Sequence, residues 1–254
     1  MSRFWFAVAT FGIVLAVSGP ARADDAADAR KIIEKAVRAR GGREKLEKLP
    51  GRVVTFKGTV HSVGDGIAMN GTVSTQGADK QRIDVEVDVG GIKAAILIVY
   101  AGDKGWRKSD LVSKDVVDFS KDRLAEIKEF SHAWWVATLV PLTDKQFTLA
   151  TVGEIKVDNK SALGVKMSRK GYSDIDLYCD KETGLLVKTE RRMKDEMSGQ
   201  EVNEEAFFGD YKEVQGTKQS HKFSVKRDRK LYFEFEATKI ELFEKPDAST
   251  FAKP

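Results

Sequence analysis

The chain has 254 residues, 41% of them hydrophobic, 32% charged and 9% aromatic, which is enough apolar material for one sizeable core and excludes collagen, coiled coil and disorder. Its 43 Lys and Arg against 39 Asp and Glu give a formal charge of +4, too even a balance for a nucleic-acid-binding surface. A single cysteine excludes an internal disulfide and leaves too little soft ligand for a structural zinc or an iron–sulfur cluster.

Residues 1–23 read as a secretory leader: Arg3, an apolar run over 4–17, the breaker Ser18-Gly19-Pro20 and the small-x-small site Ala21-Arg22-Ala23. The apolar run is shorter than the roughly 20 residues that span a bilayer. No cysteine stands at the cleavage point to take a lipid anchor. The mature chain, 24–254, is therefore expected free in the periplasm or secreted, as a monomer. Two Asn-x-Ser/Thr sequons, at Asn70 and Asn159, matter only in a eukaryote.

Ala29, Ile32, Ile33, Ala36 and Val37 recur at helical spacing and predict an amphipathic helix over 24–40, stopped by Gly41-Gly42. A short helical piece over 44–49 ends at Pro50. From Arg52 the period falls to 2, with Val54, Phe56, Gly58 and Val60 alternating with Thr55, Lys57 and Thr59. A turn at 64–66 leads to Ile67, Met69, Gly71 and Val73. Beyond Gly77, Ile83, Val85, Val87 and Val89 alternate with Arg82, Asp84, Glu86 and Asp88. The stretch 92–100 is apolar on both faces, which predicts a central strand or one beneath a covering element. Asp103-Lys104-Gly105 turns into Trp106.

Helical spacing returns over 120–139, with Leu124, Ile127, Phe130 or Ser131, and Trp134 or Trp135, Ser120 as N-cap and Pro141 past the end. Strands resume at 147–152, 162–168, 174–180, 185–193, 202–211, 219–226 and 230–242. The reading is one mainly β (α+β) domain: a single curved antiparallel sheet of about 11 or 12 strands forming an open half-barrel. The N-terminal helix and the central helical insertion cover its concave face. A closed lipocalin-like barrel needs about eight strands and leaves the central helix unexplained.

No pattern calls for covalent chemistry, a cofactor or a metal. His61, His132 and His221 are scattered and read as surface or rim residues. Asp174, Asp176 and Asp180 share a strand face with Tyr178 and read as its wet side, without the glycine of a calcium loop. Gly64-Asp65-Gly66 opens a strand rather than a helix, so it is no dinucleotide loop. No Gly-x-Ser-x-Gly elbow occurs, and Glu201, Glu204 and Glu205 are explained by a charged strand face. Cys179 alternates with Ile175 and Leu177 and reads as a small buried hydrophobe.

The trough itself is the candidate site, with Val54, Phe56, Ile83, Val85, Ile96, Ile98, Phe233 and Phe235 as wall and Leu124, Ile127, Trp134 and Trp135 on the lid helix. Adjacent tryptophans on a helix point about 100° apart, so one can enter the trough while the other lies at its lip. Lys121, Arg123 and Lys128 on the same helix read as its solvated face. Helix and hydrophobic ligand compete for the same surface. A sixteen-carbon acyl chain gains about 12 kcal/mol gross at about 0.8 per methylene, comparable to what the displaced helix gives back, so binding is modest and reversible.

Certain turns carry a resemblance. Ala39-Arg40-Gly41-Gly42 with Leu46 and Leu49, Gly102-Asp103-Lys104-Gly105-Trp106, the run from Tyr178 to Lys188, Tyr211-Lys212-Glu213-Val214-Gln215-Gly216 and the ending Phe251-Ala252-Lys253-Pro254 resemble periplasmic lipoprotein-sorting proteins of the LolA/LolB type. The likeness spans nearly all of the mature chain. It implies an eleven-stranded half-barrel that holds lipoprotein acyl chains or another lipid, and membrane-associated partner proteins. Gln219-Ser220 stands where many relatives have Leu-Pro, and Cys179 where an aromatic or aliphatic residue is common. Arg52 and Arg82 are the candidates for the family's lid-latching arginine. The missing anchor cysteine disfavours the outer-membrane receptor role. The alternatives are an envelope protein-interaction or stress-sensing module that takes a peptide or protein segment in the same trough, and an enzyme using the same cavity.

Overall fold

The computed structural model describes residues 23–61, 66–195 and 198–254; the leader up to residue 22 and most of the turn at 64–66 lie outside the described residues. Helix α1 (Ala23–Ala39) buries the stripe Ala29, Ile33, Ala36 and Val37, and α2 (Arg43–Lys48) follows after the glycine pair. Gly41, at φ 123°, packs so closely on the Gly216 carbonyl that a Cβ there would lie 2.8 Å from it. This pins the end of α1 to a hairpin of the sheet.

The strands are β1 (Gly51–Val60), β2 (Ile67–Gln76), β3 (Lys80–Val89), β4 (Ile92–Ala101), β5 (Lys104–Ser109) and β6 (Ser113–Asp118). After α3 (Lys121–Val136) come β7 (Thr148–Val157), β8 (Lys160–Ser168), β9 (Ile175–Asp180), β10 (Leu186–Lys194), β11 (Glu201–Val214), β12 (Thr217–Arg227) and β13 (Lys230–Phe243). They form one antiparallel sheet in the order β6-β5-β4-β3-β2-β1-β13-β12-β11-β10-β9-β8-β7. The first and last strands meet in its middle, and β6 and β7 are its two edges. Helix α3 therefore carries the chain from one edge to the other.

That crossing curls the sheet. Ser131 of α3 donates from Oγ to Gln81 Oε1 of β3 at 3.0 Å, and the Glu129 carbonyl of the same helix accepts from Arg191 Nη1 of β10 at 3.1 Å. On a flat sheet the six strand intervals from β3 to β10 would span about 29 Å, at about 4.8 Å each. Two helix residues two apart in sequence reach both strands only because the sheet wraps around α3.

Thirteen strands stand where the sequence suggests eleven or twelve. The additional one is β6, Ser-Lys-Asp-Val-Val-Asp, an edge strand that is largely exposed and so has no apolar alternation to betray it. Strand β4 is apolar on both faces for a local reason: its outward Val99, 0% exposed, packs with Trp106 and with Phe251 of the closing 3-10 turn (Ala248–Phe251). Helix α3 starts at its expected N-cap, where Ser120 Oγ accepts from Arg123 N at 3.2 Å, but it ends at Val136, short of 139. Buried Leu139, at φ 71°, turns the chain into a 3-10 turn over Val140–Thr143. No helix among the described residues is long and apolar enough to cross a membrane.

Candidate functional site

The face of the sheet beneath α3 is set by strand parity. Val54 pairs across to Val73, Phe56 to Gly71, and on the other side Phe56 pairs with Ala237 and Gly58 with Phe235. Phe223 pairs with both Phe235 and Phe208, so the apolar alternation of five strands falls on one face. Trp134 drops onto it. Its ring centroid lies 5.9 Å from Phe208, 6.0 Å from Phe223 and 6.4 Å from Phe235, and Phe56 stands 5.2 Å from Phe235. Trp135 points to the other side of the helix, 5.9 Å from Phe147 and 6.0 Å from His132, with the Arg169 guanidinium over it. The pair thus wedges α3 between two apolar clusters, one centred on Phe56 and Phe223 and one on α1.

Beside Trp134 and Trp135 a cavity of about 240 Å³ opens between α2, α3 and the ends of β1, β3 and β12. Leu46, Leu49, Pro141 and Leu242 supply its apolar wall. A further pocket of about 20 Å³ continues from it past Arg52 and Trp134 towards Phe208 and Phe223. Its polar lining comes from residues that sit in apolar phase on their strands. Arg52 is in step with Val54 and Phe56, Gln81 with Ile83 and Val85, and Gln219 with Phe223 and Val225. Hydrophobicity alone picks out none of the three, although resemblance singles out Arg52; their signal is a polar residue at the same end of three strands, each at a core position.

Arg40 is 6% exposed and donates to Thr138 O at 2.8 Å, Gln219 Oε1 at 2.9 Å and Lys218 O at 3.3 Å. Burial pushes its pKa down. Arg52 is pushed down to about 10, first by burial and then by the charge of Arg40. Arg82, the other arginine singled out by resemblance, instead pairs with Asp84 at 2.7 Å and reaches Thr250 O of the closing turn, away from α3.

Among the expected wall residues, Val54, Phe56 and Phe235 form one cluster with Trp134, and Val85 packs at its margin. Phe233 stacks on Phe235 at 6.0 Å. Ile83 and Val85 pair with Ile98 and Ile96 on the same face, all four half-buried. Leu124 is half-buried and Ile127 is 4% exposed on α3. Of all these positions only Trp134 and Trp135 line the cavity itself.

A groove of about 1120 Å³ crosses the opposite face of the sheet. Lys57, Glu86, Lys93 and Glu236 line it and neutralise one another, Lys93 with Glu86 at 3.2 Å and Lys57 with Glu236 at 4.0 Å. Val157, Ala162, Leu185, Val187 and Phe207 add apolar wall to the same groove.

The histidine expectation is corrected. Only His61 is at a rim, 3.3 Å from Glu234; His221 is buried with Nδ1 3.0 Å from Gln219 O, and His132 is 0% exposed, stacked on Tyr172 at 3.8 Å with neither ring nitrogen bonded. Asp180, read as wet, is 7% exposed because its carboxylate caps the next turn, accepting from Thr183 N at 2.6 Å. Cys179 packs with Ile175 and Leu177 at 2% exposure, as its alternation suggests. Among the described residues no group of His, Cys, Asp and Glu could hold a metal ion.

Solved structures with the same architecture span almost the whole chain. A domain from Vibrio parahaemolyticus described as an outer membrane lipoprotein-sorting protein superposes with a TM-score of 0.58 at 12% identity, covering 90% of this chain and 97% of that one. The chain has the LolA-like half-barrel fold. A LolA superfamily protein from Nitrosomonas europaea superposes at 0.55 with 13% identity, over 89% of this chain and 97% of its own. A DUF1329 family protein from Desulfovibrio piger gives 0.57 at 12% identity, over 88% and 97%. No protein-family model and no curated protein sequence matches the chain. At these identities the LolA-like likeness is one of fold.

Proposed function

We propose that this protein is a periplasmic carrier or sequestering protein that takes a lipoprotein acyl chain, or another lipid, between α3 and the face of the sheet beneath it. The observation that carries the reading is the seat of Trp134, an aromatic plug on a crossing helix that occupies apolar strand face beside a preformed cavity. At about 240 Å³ that cavity falls below the roughly 300–1,000 Å³ of ordinary small-ligand sites, so a full acyl chain enters only as α3 yields. The exchange comes near balance when α3 as a whole yields, because several large side chains of the helix, and not one ring, match the chain in apolar area. A fold shared with lipoprotein-sorting and LolA superfamily structures supports the same reading.

The test is purification of the mature chain from a bacterial periplasm without detergent, then native mass spectrometry and organic extraction. A stoichiometric lipid adduct is expected. A chain that carries none, and that binds no fluorescent fatty acid when supplied with one, overturns the carrier reading and leaves a segment of another protein as the occupant of the trough.

A further inference from the structure

The charges that face the cavity are uneven. Arg40, Arg52 and Lys80 line it against one carboxylate, that of Glu47, and Arg43 Nε holds Glu47 at 2.6 Å. Lys80 reaches Gln76 Oε1 at 3.4 Å, and Arg40 spends its guanidinium on three acceptors of the protein. Arg52 differs. Among the described residues no carboxylate, carbonyl or amide oxygen accepts a hydrogen bond from it, although it is half-buried between the cavity and its inner continuation.

A desolvated guanidinium without an anion is costly, and one set beside a second arginine is more so. Its planar fork is suited to two oxygens of a carboxylate or phosphate. The surroundings exclude a bare ion as the whole guest, since Trp134, Leu46, Leu49 and Leu242 complete the wall around the positive end. The inner pocket leads from Arg52 to Phe208 and Phe223, the surface Trp134 plugs.

We infer that Arg52 is the head-group site of the cavity, and that the occupant is an anionic amphiphile whose carboxylate or phosphate sits on Arg52 with its alkyl chain directed under α3. The inference deepens the carrier reading and rests on it. Arg40 keeps its place as the strut to Thr138, so of the two arginines Arg52 is the one free to bind.

The experiment displaces a fluorescent fatty acid from the full mature chain at pH 7.5 with decanoate, decyl phosphate, 1-decanol and inorganic phosphate, for the wild type, Arg52→Met and Arg52→Lys. Decanoate and decyl phosphate should compete about tenfold or more better than 1-decanol on the wild type, in keeping with a charge-assisted hydrogen bond. Arg52→Met should erase that preference, bringing decanoate and decyl phosphate down to 1-decanol, and Arg52→Lys should restore part of it. Equal competition by 1-decanol and decanoate on the wild type, or a preference that survives Arg52→Met, overturns the head-group site and leaves the carrier reading standing. Competition by inorganic phosphate alone overturns it in favour of a free anion. Failure of all four, with no binding of the probe, overturns the carrier reading itself.

Discussion

The guanidinium of Arg40 donates from Nη1 to the carbonyl oxygen of Thr138 at 2.8 Å, so the residue that follows α1 holds the chain that leaves α3. The same side chain bonds Lys218 O and Gln219 Oε1 of β12, and Lys218 N donates back to Arg40 O at 2.9 Å. One buried arginine therefore joins both helices to the sheet. Arg40→Met keeps the apolar stem and leaves Thr138 O and Gln219 Oε1 without their donor, which should cost about 2–4 kcal/mol in denaturant unfolding. Hydrogen exchange at the C-terminal end of α3 should quicken more than exchange in β12.

Trp134 is an anchor and an obstruction at once. Trp134→Ala should lower stability by about 2–3 kcal/mol, less than the usual loss for a fully buried aromatic side chain because the ring is partly exposed. In the same variant the cavity beside it enlarges, so a short alkyl ligand should bind more tightly than to the wild type, read by displacement of a fluorescent fatty acid. Trp135→Ala should also cost stability, with a smaller gain in binding, since its ring edges the cavity but packs on Phe147 and His132 away from the Phe208 face.

His132 couples stability to pH. Burial, and then the charges of Arg169 and Arg191, push its pKa down to about 4 from 6.5. Above pH 6.5 the ring is neutral in folded and unfolded chains alike and its contribution is complete. As pH falls from 6.5 towards 4 the unfolded chain takes up the proton first, and the folded state loses on the order of 3 kcal/mol. Denaturation midpoints at pH 7 and pH 4.5 should therefore differ less in His132→Phe than in the wild type.

The Cys179 thiol, pushed up to about 12 by burial, should be inert towards a thiol reagent in the native protein. One equivalent should react on unfolding. Rapid reaction in the folded state would mean that α1 lifts from β8 and β9 far more readily than its packing allows.

The helices, the alternating strands and the apolar face were legible because each is a local pattern. Ser120 and Pro141 bracket α3, and Val54 and Phe56 announce the buried parity of β1. Strand β6 was not legible, since an exposed edge needs no apolar period. Nor was the pairing of β1 with β13, whose register includes a shift at Thr55 and Phe56 and depends on contacts far apart in sequence. At the site, adjacency of the two tryptophans was enough to infer that they part company. The polar end of the cavity was not, because Arg52, Gln81 and Gln219 belong to three strands whose ends come together only once the sheet is assembled. His132 misled for a similar reason: a polar residue on a helix is buried here by Tyr172 and Phe147 from the segments around β7 to β9.

The most direct test of the exchange between α3 and ligand is quenching of tryptophan fluorescence by a fatty acid brominated on its chain. Trp106 packs with Val99 and Phe251 on the other face, and Trp135 edges the cavity but turns its ring to the α1 side, so Trp134 is the main reporter. Saturable quenching is expected in the wild type, reduced by more than half in Trp134→Phe, with the unbrominated fatty acid causing none. A brominated fatty acid that binds yet quenches the wild type and Trp134→Phe alike would contradict it, because the chain would then lie elsewhere than on the face that Trp134 covers.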